Sequence, residues 1–381
     1  MAYPSADRLQ NILAKDVFHY AKDVKKASGR ALGTLVEIIT FYSLKSWGLE
    51  HQIAIERPLP EFANAAITHN VEYSLHPATA IQRIDFSRDS LPLTATKMAR
   101  MCNRVIPAIL PGSLKKSNAL LAKDMILRNA CTICDLGDCF LNAYLNDFAE
   151  DKGSFSVVSL RQRPFAIIEC KRVGIEEGMK KGPQTIEKAK QGAYVAKTVS
   201  SLQKVRFADG EIGGLIQMKN KSFRCEEYYS LLAEVIASNN PEFLSHFVLT
   251  IGVVSNHGNW FTSDNHNKEL KVLAQSYDWL LFLTDDGIAQ FIDEVLLHPT
   301  KKLAAARDAF LASYTGKKGV NQFTKVRMAL AADAILQSYF STRMKVIEGW
   351  FNIIAPAKKP LAVLREELDT LKSKNWEEIH S

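Results

Sequence analysis

The run Phe165-Ala-Ile-Ile-Glu169-Cys170-Lys171-Arg172 limits what this chain can fold into more than any other segment. Its apolar start has strand character and suits the interior of a sheet, while its end carries charge. Strand side chains alternate between faces, so Glu169 and Lys171 share one face and Cys170 points to the other. Charges at the edge of a core are costly unless something answers them. One answer is a strand-end ion pair between the two. The other is a hydrolytic metal site, in which the carboxylate holds a divalent cation and the lysine helps to activate an attacking water beside a phosphate.

The neighbouring residues favour the second answer. The net charge of +7 is modest, but between Lys171 and Arg206 nine basic residues face only Glu176, Glu177 and Glu187. Such a concentration is the electrostatic footprint expected of a phosphate-binding surface. At 381 residues and 47% hydrophobic content, the chain can build one large domain with additions or two domains. No apolar stretch approaches the roughly 18 to 20 residues of a membrane span, and Met1 to Asp7 lacks the apolar core of a signal peptide. The expectation is a cytoplasmic protein with reduced cysteines. Cys131, Cys134 and Cys139 form a C-x2-C-x4-C cluster with Asp135 and Asp138 interleaved, which raises a structural zinc or iron site. No fourth ligand is obvious, and Cys102 would have to fold back to supply it. Semi-buried thiols without metal are the alternative.

Periodicity predicts helices over Ala6 to Lys25 and Arg30 to Trp47, with Glu37 inside the second, and strands over His51 to Arg57 and Val71 to Leu75. Leu93 to Leu110 reads as mainly helical, Met125 to Leu127 as a strand and Cys139 to Phe148 as a helix. Ser154 to Leu160 alternates polar and apolar residues and precedes the turn Arg161-Gln-Arg-Pro164, so it is expected to form a hairpin with the strand ending at Lys171. Gly182-Pro183 opens a long helix through about Arg206. Phe247 to Val254 and Trp279 to Leu283 read as buried strands, with helices over Glu226 to Ser238, Glu242 to His246, Lys268 to Ser276 and Gly287 to Leu297. From Lys301 onward the pattern is almost wholly helical. The order implies an α/β fold with a mixed sheet flanked by helices. Its expected domains are a catalytic core over residues 1–298 and a helical C-terminal region over 299–381, serving as subdomain, dimer interface or DNA contact.

A metal site needs a second carboxylate near Glu169. The hairpin would bring Asp151 there, with Asp147 and Asp124 as competing candidates. Asp151, the strand Phe155 to Leu160 and Phe165-Ala-Ile-Ile-Glu169-Cys170-Lys171 together resemble the active-site hairpin of PD-(D/E)xK nucleases, particularly type II restriction endonucleases. Leu32-Gly-Thr-Leu-Val-Glu37-Ile-Ile is similar to the first helix of that family. The resemblance implies a restriction-endonuclease-like core in which Asp151 and Glu169 hold Mg²⁺, joined by the backbone carbonyl of Cys170. Lys171 would orient the water and Glu37 would support the metal's surroundings. The chain departs from the pattern in having Glu150, not proline, before Asp151. Lys190-Gln191-Gly-Ala-Tyr194 loosely resembles the Gln-Tyr motif of exonuclease-like members.

On this reading Lys180, Lys181, Lys188, Lys190, Lys197 and Lys204 are phosphate contacts. Gln191 and the loop residues Asn256, His257 and Asn259 have groups suited to DNA. The resemblance implies Mg²⁺-dependent cleavage of double-stranded DNA at a short sequence by a homodimer, with a cognate DNA methyltransferase as a partner in the same system. A repair or recombination nuclease and a catalytically silent DNA-binding module are the alternatives.

Overall fold

The computed structural model describes residues 12–13, 15, 24–62, 64, 67, 70–102, 113–173, 192–256, 272–314 and 321–380. The chain divides into two compact units, each assembled from separated segments. The first comprises Met1–Ile55, His76–Arg163 and Asp285–Ile347, and the second Glu56–Leu75, Pro164–Thr284 and Glu348–Ser381. This division cuts the chain differently from the boundary expected at 298/299. The strand β1 (Ile53–Arg57) contains one of the crossing points.

In the second unit the opening run forms β8 (Ala166–Val173). β8 lies inside a sheet, with β2 (Val71–Leu75) antiparallel on one side and β12 (Leu249–Asn256) parallel on the other. Both of its backbone edges and both of its faces are therefore covered at its start, which is why four consecutive apolar residues, Phe165 to Ile168, are at most 1% exposed. Beyond β12 come β13 (Trp279–Leu283), parallel to it, and β15 (Phe351–Ala355), antiparallel to β13. A helix over 192–199 lies between β8 and β12 in the chain. A three-stranded antiparallel sheet, β9 (Gln203–Arg206), β10 (Ile212–Gln217) and β11 (Phe223–Glu227), precedes the helix Tyr228–Ala237. The protein is thus a mixed α/β structure, with antiparallel and parallel strands in one sheet and helices around it.

The first unit holds the antiparallel sheet β3-β7-β6-β5: Ala78–Ser87, Lys152–Arg161, Cys139–Ala149 and Cys131–Asp135. It also holds the pair β4 (Ile126–Arg128) and β14 (Arg327–Ala329). Its helices include Val24–Ser46 and Leu330–Thr342, joined by a hydrogen bond from Tyr42 Oη to Asp333 Oδ1 at 2.7 Å.

Two expectations are corrected here. The segment Cys139 to Phe148 is a strand, although Phe140, Leu141, Tyr144, Leu145 and Phe148 recur at helical spacing. It is joined to β7 by the turn Glu150-Asp151, where Glu150 adopts φ 52°, and ladder pairing over nearly the full length of both strands outweighs the local period. The second correction follows from the first. β7 pairs with β6 and β3, and β8 pairs with β2 and β12, so the hairpin of Ser154–Leu160 with Phe165–Lys171 is not formed.

Smaller differences have similar causes. The region after residue 300 contains β14 and β15 besides the helices Ala304–Tyr314, Leu330–Thr342 and Leu361–Lys372. The expected helix from Gly182 is described only from 192, ends at 199, and is followed by β9. Among the described residues no helix is long and apolar enough to cross a membrane.

Candidate functional site

β8 delivers Glu169 and Lys171 to one face of its sheet, and buries Cys170 at 5% exposure on the other. The parallel register sets Gly252 beside Glu169 and Val254 beside Lys171. On the other flank the antiparallel register runs Leu75↔Ala166, Ser74↔Ile167, Tyr73↔Ile168. Continued by one residue, it places Glu72 across from Glu169, on the same face. Two carboxylates and a lysine thus share one sheet face within the second unit.

Two glycines give this face its shape. A Cβ on Gly252 would lie 2.8 Å from Tyr277 Cδ2, so the absent side chain leaves space that the Tyr277 ring occupies. A Cβ on Gly192, at the start of the helix 192–199, would lie 2.6 Å from Tyr277 Oη and 3.0 Å from Glu169 Cγ. Helix, phenol and carboxylate stem therefore meet at one point. Tyr277 is 3% exposed; burial raises its pKa well above the ordinary phenol value, and the charges of Glu169 and Cys170 add to the rise.

Behind Tyr277 lies a buried polar cluster. Asp278 Oδ2 accepts from Thr250 N at 2.7 Å and from Thr250 Oγ1 at 2.9 Å, and Asp278 Oδ1 accepts from the Tyr228 hydroxyl. Lys204 Nζ donates to the carbonyl of Ala274 at 2.8 Å and to that of Tyr277, and sits 4.6 Å from the Tyr228 ring centre. Burial lowers the Lys204 pKa to about 8, against the pull of Asp278. Burial raises Asp278, with Lys204 and the hydrogen bonds from Tyr228 and Thr250 opposing.

The sequence candidates are scattered by comparison. Asp151 is exposed in the β6–β7 turn, Asp124 is exposed in the turn before β4, and Asp147 Oδ2 accepts from Arg83 Nη2 and Ser154 Oγ, both at 2.9 Å. All three belong to the first unit, whereas Glu169 and Lys171 belong to the second. Glu37, also in the first unit, pairs at 3.1 Å with Lys325, whose side chain is 4% exposed. Lys197 is exposed on the helix 192–199, as a phosphate contact must be. Lys204 is a correction, because its ammonium is held by backbone carbonyls inside the unit. Lys180, Lys181, Lys188, Lys190, Gln191, His257 and Asn259 lie outside the described residues, as does the Asn256 side chain at the end of β12.

Burial pushes the Cys102 and Cys134 thiols up to about 11 and the Cys131 thiol up to about 12. Among the described residues no group of three or more His, Cys, Asp or Glu side chains is placed to hold a metal ion. The pair Glu72 and Glu169 nonetheless suits Mg²⁺, which takes one or two protein carboxylates and fills its remaining positions with water and substrate phosphate.

Glu72 is the residue that sequence reasoning missed. Its signal was a lone acid inside the predicted strand Val71-Glu-Tyr-Ser-Leu75, one position off the apolar alternation. No family model, curated protein or solved structure matches the chain.

Proposed function

We propose that the chain is a Mg²⁺-dependent nuclease of the PD-(D/E)xK type, hydrolysing phosphodiester bonds of double-stranded DNA as a type II restriction endonuclease does. The observation that carries this reading is the placement of Glu72, Glu169 and Lys171 on one sheet face, where β8 meets an antiparallel neighbour on one side and a parallel one on the other. That mixture of pairings is also what a restriction-endonuclease-like core requires.

Glu72, in place of Asp151, and Glu169 would hold the cation. When bound, Mg²⁺ supplies Lewis acidity toward the phosphate and lowers the cost of deprotonating water. Lys171 would orient the attacking water by hydrogen bonding and offset charge growing on the phosphate oxygens. The exposed Lys197 binds a backbone phosphate and fixes the register of the duplex without reading sequence. The segment with Lys180, Lys181, Lys188 and Lys190 adds further positive charge to the same stretch of chain. A homodimer would match a palindromic target.

A second reading has one observation in its favour. Gly192 sits against Glu169, so the described part of the motif, Gly192 to Tyr194, with Tyr194 47% exposed, starts beside the site, and the sequence Gln191-Gly-Ala-Tyr194 resembles the Gln-Tyr motif of exonuclease-like members of the superfamily. Incubating the full chain with a long plasmid and Mg²⁺ separates the readings. Discrete fragments are expected. A smear of shortened ends would favour the exonuclease reading, and intact plasmid under every divalent cation would overturn both.

A further inference from the structure

The antiparallel sheet β3-β7-β6-β5 has two unlike edges. At β5 the preceding segment closes the edge: Leu114 bridges Cys134, Lys115 N donates to Ile133 O at 2.8 Å, and Asn118 Nδ2 donates to Thr132 O at 2.8 Å. At β3 no bridge or backbone hydrogen bond arrives from the far side among the described residues. Thr79, Ala80, Ile81, Arg83, Asp85 and Ser87 are exposed there. An open edge of this length is a template for another strand, because its outward backbone groups are strong donors and acceptors.

The register fixes which groups point outward. Ser87 pairs with Lys152, and Arg88 N donates to Asp151 O at 2.8 Å, so the backbone of Arg88 points to β7. Hydrogen-bonded pairs alternate in an antiparallel ladder, so Phe86, Ile84 and Gln82 also point to β7, while Ile81, Arg83, Asp85 and Ser87 turn N–H and C=O outward. A second copy of β3 must set outward residues against outward residues. About a two-fold axis at Ile84, Arg83 meets Asp85 and Ile81 meets Ser87. About Arg83 or Asp85 like charges would meet, and about Gln82 neither charge would meet its opposite. The axis at Ile84 is therefore the charge-complementary one, in both directions at once. Both side chains reach solvent: Asp85 is 89% exposed and Arg83 64%, the latter also donating from Nη2 to Asp147 at 2.9 Å. On the other face Ile84, packed against the core that holds Phe86 and Phe155, would meet its own copy.

We propose that two copies of this chain join edge to edge along β3, antiparallel about Ile84, into one continuous sheet across a two-fold axis. The surface lies wholly in the first unit. The join does not depend on the nuclease chemistry, and it gives the homodimer of that reading a surface.

Sedimentation equilibrium of the full chain at tens of micromolar should give the mass of two 42.6 kDa chains. Arg83→Asp and Asp85→Arg each create like-charged pairs on both sides of the axis, and each should weaken self-association at least about ten-fold. An equimolar mixture of the two variants restores opposite charges at every such pair and should return to a dimer, as should the double exchange in one chain. A variant that merely failed to fold would not be rescued in this way. A monomeric parent, single variants that dimerise like the parent, or single variants that stay monomeric when mixed would each overturn the proposal. Rescued dimerisation in a chain that does not cut DNA would support the join and count against the nuclease reading alone.

Discussion

Two carboxylates held across neighbouring strands repel one another, and a fold keeps such a pair where a cation will relieve the repulsion. For Glu72 and Glu169 this gives a prediction with two parts. Glu72→Gln should lower the single-turnover rate of DNA cleavage by at least about 100-fold, as removal of one electrostatic partner of a reaction does. The same change should leave DNA binding measured without metal unchanged. A variant that cuts normally would remove Glu72 from the site. Glu169 and Lys171 were legible in the sequence because their face follows from strand alternation alone. Glu72 was not, because its partnership depends on which strands become neighbours. The whole segment His76–Arg163 separates β2 from β8 in the chain and folds into the other unit. The aspartates inside that segment looked closer only because they were closer along the sequence.

Among the elements, the helix Leu361–Lys372 is tied to the sheet by a buried contact, Trp279 Nε1 donating to Glu367 Oε2 at 2.7 Å. Burial pushes Glu367 up to about 7 from 4.5, with the Trp279 hydrogen bond and Lys359 opposing. A carboxyl whose folded value lies above its unfolded one binds its proton more tightly in the folded state. Its stabilising contribution is present below the unfolded value and is lost as pH rises through the folded one, here from about 4.5 to about 7. Glu367→Gln keeps an acceptor for Trp279 and removes the charge. It should raise the melting temperature at pH 8 by about 2 to 4 °C, corresponding to roughly 1 kcal/mol, and change it little at pH 4. An equal shift at both pH values would show that the carboxyl is not titrating in the folded protein. Elements with one dominant signal were readable in advance: the helices at Arg30 to Trp47 and Glu226 to Ser238, and the buried strands β8, β12 and β13. β6 was not, because a helical period and a long strand ladder compete within the same residues and only the second has tertiary support.

Over the whole chain, the two units are interleaved, so the residues of the candidate site come from segments far apart in sequence while belonging to one unit. Residues 56–75 contribute Glu72, and residues 164–284 contribute Glu169, Lys171, Gly192, Lys197, Gly252 and Tyr277. A linear boundary near residue 298 could not express that. The basic stretch after β8 was legible as a charge imbalance, but which lysines face outward was not: Lys197 is exposed while Lys204 is turned inward to backbone carbonyls. The central claim is that Glu169 and Lys171 perform chemistry rather than hold the sheet together. The most direct measurement is single-turnover cleavage of a plasmid with Mg²⁺ by Glu169→Gln and Lys171→Met, beside DNA binding by the same proteins measured without metal. Loss of cleavage with binding retained is the expected result; cleavage by both variants at the parent's rate would contradict the account.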